Sequence, residues 1–130
     1  MSFRVLIVDD SPAMRSFIKR TLDASGFETS ECFEASDGLE ALALLDREWV
    51  DVILTDINMP RLNGEQFVQK LAENGLTKTI PVIVISTDST HIRMEHLRGL
   101  GARGYLVKPF TPESLRLKLE EALETTHAPR

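Results

Sequence analysis

The chain has a single cysteine, so it cannot form an intramolecular disulfide or a zinc site built from several thiolates. We expect Cys32 to act as a small buried hydrophobic residue. Long apolar runs are also absent, since the longest one, at residues 80–85, is far shorter than the roughly 20 residues that span a bilayer. No signal peptide is visible, because the apolar run at residues 5–8 ends at two aspartates. These absences predict a cytoplasmic protein without membrane contact.

An excess of positive charge is absent as well. The 130 residues include 15 Lys and Arg against 20 Asp and Glu, which gives a formal net charge of −5. A nucleic-acid-binding protein would present a basic surface, so we expect no nucleic-acid partner. The acidic balance suits a protein that holds a cation or meets a basic partner. The length fits one domain, which we place at residues 1–125, followed by a flexible tail at residues 126–130.

Four short apolar runs predict buried strands. They lie at residues 4–8 (RVLIV), 52–55 (VILT), 82–86 (VIVIS) and 104–107 (GYLV). Their apolarity is continuous rather than alternating, which is typical of parallel strands covered on both faces of the sheet. A fifth run at residues 31–35 (ECFEA) is more polar and suits a strand at the edge.

Segments with helical spacing separate these strands. The first begins after Ser11, whose hydroxyl can cap the helix. The fourth, at residues 89–100, is less clearly amphipathic, and we expect Ile92, His96 and Leu97 on its inner face. Alternating strands and helices with right-handed crossovers predict a three-layer, doubly wound α/β fold.

Polar side chains stand where the predicted strands end. Asp9 and Asp10 follow the first strand, and Asp56 follows the third. Ser86 ends the fourth strand, and Lys108 follows the fifth. Because the carboxyl ends of parallel strands meet at one edge of the sheet, we expect these side chains to lie close together.

The chemistry of this set points to a phosphoryl group. Three carboxylates at one edge repel one another unless a cation joins them. The all-oxygen set of Asp9, Asp10 and Asp56 favours Mg²⁺, or Mn²⁺ in its place, over zinc. Lys108 adds an ammonium group and Ser86 adds a hydroxyl. In such a site, Asp56 would be the nucleophile that forms an aspartyl phosphate.

Four sequence blocks at these strand ends occur in the order of a known family. They are VLIVDD at residues 5–10, DINMP at residues 56–60, ST at residues 86–87 and KPF at residues 108–110. With them the chain resembles the response-regulator receiver domain of two-component signalling, and in particular the single-domain receivers of chemotaxis. The resemblance covers nearly the whole chain. It implies a flavodoxin-like sheet of five parallel strands in the order 2-1-3-4-5.

The resemblance also implies a role for each residue at this edge. Asp56 is the implied phosphoacceptor, and Asp9 and Asp10 are the acidic pair at the metal. Of this pair, Asp10 is the residue implied to coordinate the metal directly. The backbone carbonyl of Asn58 completes the implied metal site. The bond between Lys108 and its following proline is implied to be cis.

Three further residues carry the implied switch. Lys108 contacts the phosphate, Ser86 is the switch hydroxyl, and Tyr105 is the switch aromatic residue. In this mechanism Ser86 moves toward the phosphate on Asp56 and Tyr105 rotates inward. The face formed by the fourth helix, the fifth strand and the fifth helix is remodelled as a result.

The implied function is a phosphorylation-activated signalling switch. Its phosphodonor is a sensor histidine kinase or a phosphotransfer protein, and its own activity is limited to slow self-phosphorylation and self-dephosphorylation. We expect the effector to be a separate protein, either at the flagellar motor or in a phosphorelay, because the chain has no room for an output module. The sequence leaves open that the chain is a fragment of a longer protein. We expect a monomer, with phosphorylation-dependent dimerisation as the alternative.

Three other functions remain as alternatives. A phosphatase of the haloacid-dehalogenase type needs an acid/base Asp two residues after its nucleophile, where this chain has Asn58. A flavodoxin-like flavin carrier needs a Ser/Thr/Gly-rich phosphate loop, where this chain has Asp9 and Asp10. A phosphorylation-independent binding module remains if Asp56 is inert. The three histidines show no metal-binding spacing.

Overall fold

The computed structural model of the chain describes residues 2–127, with side chains described through residue 124. Within this range, five strands alternate with five helices. The strands are β1 (Phe3–Val8), β2 (Thr29–Ala35), β3 (Val52–Thr55), β4 (Val82–Ser86) and β5 (Gly104–Val107). The helices are α1 (Pro12–Ala24), α2 (Gly38–Leu45), α3 (Gly64–Glu73), α4 (His91–Leu100) and α5 (Pro112–His127).

The strands form one sheet in the order β2-β1-β3-β4-β5, and every neighbouring pair is parallel. This confirms the predicted three-layer, doubly wound α/β fold with flavodoxin-like topology. The more polar strand β2 lies at an edge, as expected. It begins two residues earlier than its apolar pattern indicates, at Thr29. The order changes direction between β1 and β3, so the carboxyl ends of these two strands border the topological switch point.

Alternate residues of the central strands pack into two separate cores. On β1, Leu6 and Val8 join the core beneath α2, α3 and α4, whereas Val5 and Ile7 join the core beneath α1 and α5. All four side chains are fully buried. Complete burial of such a side chain contributes about 1.5–3 kcal/mol. The two cores explain why residues 5–8 of β1 are all apolar rather than alternating with polar ones.

Local capping fixes where the helices begin. The hydroxyl of Ser11 accepts a hydrogen bond of 3.1 Å from the backbone N–H of Met14, and Pro12 occupies the first turn of α1. Helix α3 begins with a capping box, in which the side chains of Asn63 and Gln66 each accept a hydrogen bond from the other residue's backbone. These caps hold the starts of α1 and α3 directly after the loops that follow β1 and β3.

The expected inner face of α4 is correct for one residue of three. Leu97 is fully buried, but Ile92 is 83% exposed and the His96 side chain is 52% exposed. Successive helical residues are rotated by about 100°, so neither residue can share a narrow stripe with Leu97. His96 instead contacts Glu65 of α3 at 3.2 Å, and Arg93 forms an ion pair with the same carboxylate. Helix α4 is therefore held to α3 by polar contacts with Glu65, and it packs on the core mainly through Leu97.

Cys32 is half-buried on β2 and packs against the core beneath α1 and α5. Burial raises the pKa of its thiol to about 11. Helix α5 includes the first two residues of the expected tail at 126–130, and residues 128–130 lie outside the described residues. Among residues 2–127, no helix combines the length and apolarity needed to cross a membrane.

Gly64 brings the start of α3 against the end of β3. Its N–H donates a hydrogen bond of 2.7 Å to the carbonyl of Ile57. A Cβ at this position would lie only 2.3 Å from the carbonyl oxygen of Asp56 and 2.7 Å from the Cα of Ile57. Since both of these neighbours are backbone atoms, they cannot move aside without displacing the strand end. Only glycine permits this approach.

Replacing Gly64 by Ala should therefore destabilise the protein by about 1–3 kcal/mol, the usual cost of overpacking. The measurement is the free energy of urea-induced unfolding. Gly75→Ala is the matched control, because a Cβ at Gly75 meets nothing within 4 Å. Equal stability of the two variants would contradict the proposed close contact.

Candidate functional site

Two neighbouring strands deliver the acidic residues to one place. Val8 of β1 pairs with Thr55 of β3, so Asp9 and Asp56, which follow them, are also neighbours. Asp9, Asp10 and Asp56 can each offer a carboxylate oxygen within 4.8 Å of the others. Asp9 is only 2% exposed, whereas Asp56 is partly exposed and Asp10 is exposed. The structure thus brings together the three carboxylates that the sequence predicts as metal ligands.

The buried member of this cluster is electrostatically unfavourable in its ionised form. Burial raises the pKa of Asp9 above its usual value, and the negative charge of Asp56 adds to the increase. The N–H of Ser11 donates a hydrogen bond of 2.9 Å to Asp9 Oδ1 and opposes the shift, as does the charge of Lys108. A cation bound among the three carboxylates would favour their charged forms.

Asp56 lies between a backbone donor and an ammonium group. Its Oδ1 accepts a hydrogen bond of 2.8 Å from the N–H of Ile57, and the Nζ of Lys108 lies 3.9 Å from the same oxygen. Lys108 is fixed by its own backbone, whose N–H donates to the carbonyl of Ser86 at 2.8 Å. The Lys108–Pro109 bond is cis, as the sequence resemblance implies. The 3.9 Å contact shows that Lys108, which follows β5, reaches Asp56 across β4.

The two predicted switch residues are connected through one residue of the loop between β4 and α4. The hydroxyl of Ser86, which is 7% exposed, accepts a hydrogen bond of 3.1 Å from the N–H of Asp88. The hydroxyl of Tyr105 donates to the carbonyl of Asp88 at 2.7 Å. The Asp88 carboxylate accepts the N–H of Thr90, and hydrogen bonds from that residue lower the Asp88 pKa. Ser86 and Tyr105 are thus tied to opposite sides of one residue.

Asn58 is exposed in the loop between β3 and α3, two residues after Asp56. Arg15 of α1 was not predicted from the sequence to belong to the site, but its Nη1 donates to the carbonyl of Asp9 at 2.6 Å. Its Nε donates to Glu34 on β2 at 3.0 Å. No local pattern signals this contact, because Glu34 lies 19 residues away in the sequence. Arg15 therefore supports the backbone of the acidic pair from the side of β2.

Comparison with known proteins agrees with this fold. The profile of the family described as "Response regulator receiver domain" matches residues 5–120. The chain belongs to the response regulator receiver domain family. Like other receiver domains, it is a component of two-component signalling regulated by phosphorylation, and such domains are signalling proteins rather than conventional enzymes.

The similar proteins include chemotaxis receivers that match over most of their length. "Chemotaxis protein CheY1" of Helicobacter pylori is 41% identical over 123 residues, which cover 94% of this chain and 98% of that protein. "Chemotaxis protein CheY homolog" of Campylobacter jejuni is 39% identical and covers 94% of this chain and 93% of that protein. The solved structure of the chemotaxis response regulator CheY4 of Vibrio cholerae has a TM-score of 0.83 at 36% identity, with coverage of 95% and 100%.

Replacing Asp9 by Asn should stabilise the receiver domain in the absence of divalent cations, because it removes a buried charge and keeps an oxygen for the Ser11 N–H. Folding raises the Asp9 pKa, so the contribution of Asp9 to the stability of the wild type falls as pH rises from the unfolded value of 3.8 through the folded pKa. The gain should appear at neutral pH and vanish below 3.8.

The measurement is the urea midpoint of the wild type and of Asp9→Asn in EDTA, at neutral pH and below pH 3.8. Asp46→Asn is the control, because Asp46 is an exposed carboxylate at the end of α2. A gain for Asp9→Asn that is equal at both pH values, or equal to that of Asp46→Asn, would show that the buried charge is not its cause.

Proposed function

We propose that this receiver domain is a switch that accepts a phosphoryl group on Asp56 from a phosphohistidine, in a reaction that depends on Mg²⁺. The donor is a sensor histidine kinase or a phosphotransfer protein. The observation that carries the proposal is that Asp56 lies within reach of both Lys108 and the acidic pair Asp9 and Asp10. A nucleophilic carboxylate with a cation site on one side and an ammonium on the other matches the charge distribution of a transferring phosphoryl group.

The residues at the acidic cluster fit a hard divalent cation. Carboxylates of Asp9, Asp10 and Asp56, together with the backbone carbonyl of Asn58, would hold it. All four donors are oxygens, which Mg²⁺ prefers and which Mn²⁺ also accepts. The raised pKa of Asp9 supports the assignment, because a cluster that is unfavourable when ionised gains from a positive ion. When bound, the cation would neutralise charge on the phosphoryl oxygens.

The protein's own groups then orient the transfer. An Asp56 carboxylate oxygen attacks phosphorus while the P–N bond to the donor imidazole breaks, and the bonding electron pair stays with that nitrogen. The N–H of Ile57 holds Asp56 Oδ1 at 2.8 Å and so fixes the direction of the carboxylate. The ammonium of Lys108 contacts the phosphoryl oxygens as they arrive. Such catalysis rests on positioning and charge stabilisation.

The response passes through Asp88. When Ser86 turns toward the phosphate on Asp56, its hydroxyl no longer accepts the hydrogen bond from the N–H of Asp88. The carbonyl of Asp88 accepts a hydrogen bond from Tyr105, so the change at Ser86 reaches that residue. Hydrogen bonds to a charged group contribute roughly 1.5–3 kcal/mol each. Two of them supply about 3–6 kcal/mol, compared with the ~5.5 kcal/mol that shifts a population from 1:99 to 99:1. The energy of the site is therefore of the right size to drive the rearrangement.

The partner surface of this switch is the face of α4, β5 and α5. Residues of all three elements, among them Arg98, Tyr105 and Lys118, line a groove of 430 Å³ on that face. Because Tyr105 belongs both to this groove and to the contact with Asp88, phosphorylation changes the surface that an effector protein meets. We place this exchange in the cytoplasm, between a monomeric receiver and a separate effector.

Asp56→Asn should abolish phosphorylation, because the amide is not a nucleophile toward phosphorus. The protein is incubated with Mg²⁺ and acetyl phosphate, and its intact mass is measured. The wild type should gain the mass of one HPO₃ unit. This adduct should disappear with time once acetyl phosphate is removed, and it should not form in EDTA. The control is Asp51→Asn, which removes a carboxylate at the opposite end of β3.

An adduct on both aspartate variants would place phosphorylation elsewhere in the chain. The absence of an adduct on the wild type with acetyl phosphate and with phosphohistidine donors would leave a phosphorylation-independent binding module as the function.

Ser86→Ala should leave phosphorylation largely intact but weaken the response, since it removes the hydroxyl that links the phosphate to Asp88. The measurement is the change in backbone amide chemical shifts of α4 and β5 on phosphorylation. Ser89→Ala, in the same loop but exposed, serves as the control. Amide shifts of equal size in Ser86→Ala and in the wild type would show that Ser86 is not the switch.

A further inference from the structure

The loop between β3 and α3 contains a backbone conformation that its sequence does not favour. Arg61 has φ of +64° and is the only non-glycine residue with positive φ among residues 2–127. This left-handed region brings Cβ of an L-residue close to the following carbonyl, and arginine has no short polar side chain that relieves the conflict. Such a conformation persists only where the surrounding structure holds it.

A nearly buried carboxylate holds Arg61 in this conformation. The Nε and Nη2 of Arg61 lie 2.7 Å and 2.6 Å from Oδ2 of Asp37, in the turn between β2 and α2. Asp37 is 3% exposed, and its Oδ1 caps α2 by accepting the N–H of Glu40 at 2.9 Å. Burial alone would raise the pKa of Asp37, but hydrogen bonds from Glu40 and Arg61 lower it. Asp37 is therefore ionised and committed to Arg61 at neutral pH.

A backbone contact ties the same turn and loop together. The N–H of Gly38 donates to the carbonyl of Leu62 at 3.1 Å, and a Cβ on Gly38 would lie 2.9 Å from that oxygen. At the other end of the loop, the carbonyl of Ile57 accepts a hydrogen bond of 2.7 Å from the N–H of Gly64. The segment that follows Asp56 is thus held at both ends.

We propose that Asp37 and Arg61 form a positioning pair for the cation site. The pair fixes the loop that presents the carboxylate of Asp56 and the backbone carbonyl of Asn58 to the ion. This inference rests on the proposed function, since it concerns the same site. Neither Asp37 nor Arg61 touches the reacting atoms, so their effect passes through the backbone of the loop.

Two single variants separate the ion pair from its structural surroundings. Asp37→Asn keeps an N-cap for α2, because asparagine caps a helix as well as aspartate does, but it removes the charge. Arg61→Gly removes the guanidinium and places at φ of +64° the residue that tolerates it best. Asp37→Asn therefore retains the helix cap and Arg61→Gly tolerates the positive φ, while the ion pair is lost in both.

Each variant should weaken Mg²⁺ binding roughly 10-fold, the lower end of the loss seen when groups that orient metal ligands are removed. The double variant should be no weaker than either single one, because both remove the same contact. The dissociation constant is measured by titrating Mg²⁺ into the full chain and following amide chemical shifts. Arg61→Lys keeps the charge but not the two-pronged geometry, and it should recover only part of the affinity.

A stability measurement in EDTA distinguishes positioning from general support of the fold. The control is Arg4→Gln, which removes ion pairs to Glu31 and Glu48 at the opposite end of the sheet. It should lower the urea midpoint and leave Mg²⁺ affinity unchanged.

If Asp37→Asn and Arg61→Gly lose stability but bind Mg²⁺ as the wild type does, the positioning role is wrong while the proposed function stands. Additive losses in the double variant would likewise contradict a shared contact. If the wild type itself binds no Mg²⁺ and forms no phosphoaspartate, the proposed function fails, and this inference fails with it.

Discussion

Repulsion among three carboxylates is the constraint on which the rest of this receiver domain depends. Parallel pairing of β1 with β3 places Asp9 beside Asp56, and the acidic pair adds Asp10. The fold stabilises this arrangement elsewhere, through two cores that bury every residue of the central strands near the site. Burial in these cores offsets the unfavourable charge of the cluster, and that same charge would favour the binding of a cation.

The loops around the cluster are held more firmly than their lack of regular structure suggests. Arg15 binds the carbonyl of Asp9 from α1, and Arg61 ties the next loop to Asp37. Arg15 thus contacts the backbone of the acidic pair, and Arg61 contacts a carboxylate outside the cluster. They add positive charge near the site, and Glu34 and Asp37 pair with that charge. Because these two acids pair with the arginines, the negative charge of the acidic cluster is not neutralised by them.

The strand order and the convergence of polar residues could be predicted from the sequence, because both follow from strand direction. Asp56 and Lys108 each stand directly after an apolar run, and parallel strands bring such positions to one edge. The inner face of α4 could not be predicted, since His96 is held by a carboxylate on another helix. The contact between Asp37 and Arg61 was equally hidden, because it joins residues 24 positions apart and depends on a positive φ that no sequence pattern marks.

The close packing at Gly64 divides the site into two mechanically different halves. The carbonyl of Asp56 is in contact with the first turn of α3, so the backbone of this proposed phosphoacceptor cannot shift without carrying that helix along. Across the site, the loop after β4 depends on single hydrogen bonds at Asp88. Under the proposed function, phosphorylation takes place on the side of the site that is packed against α3. The rearrangement that follows is then confined to the side of β4, so a change on one carboxylate reaches only one face of the domain.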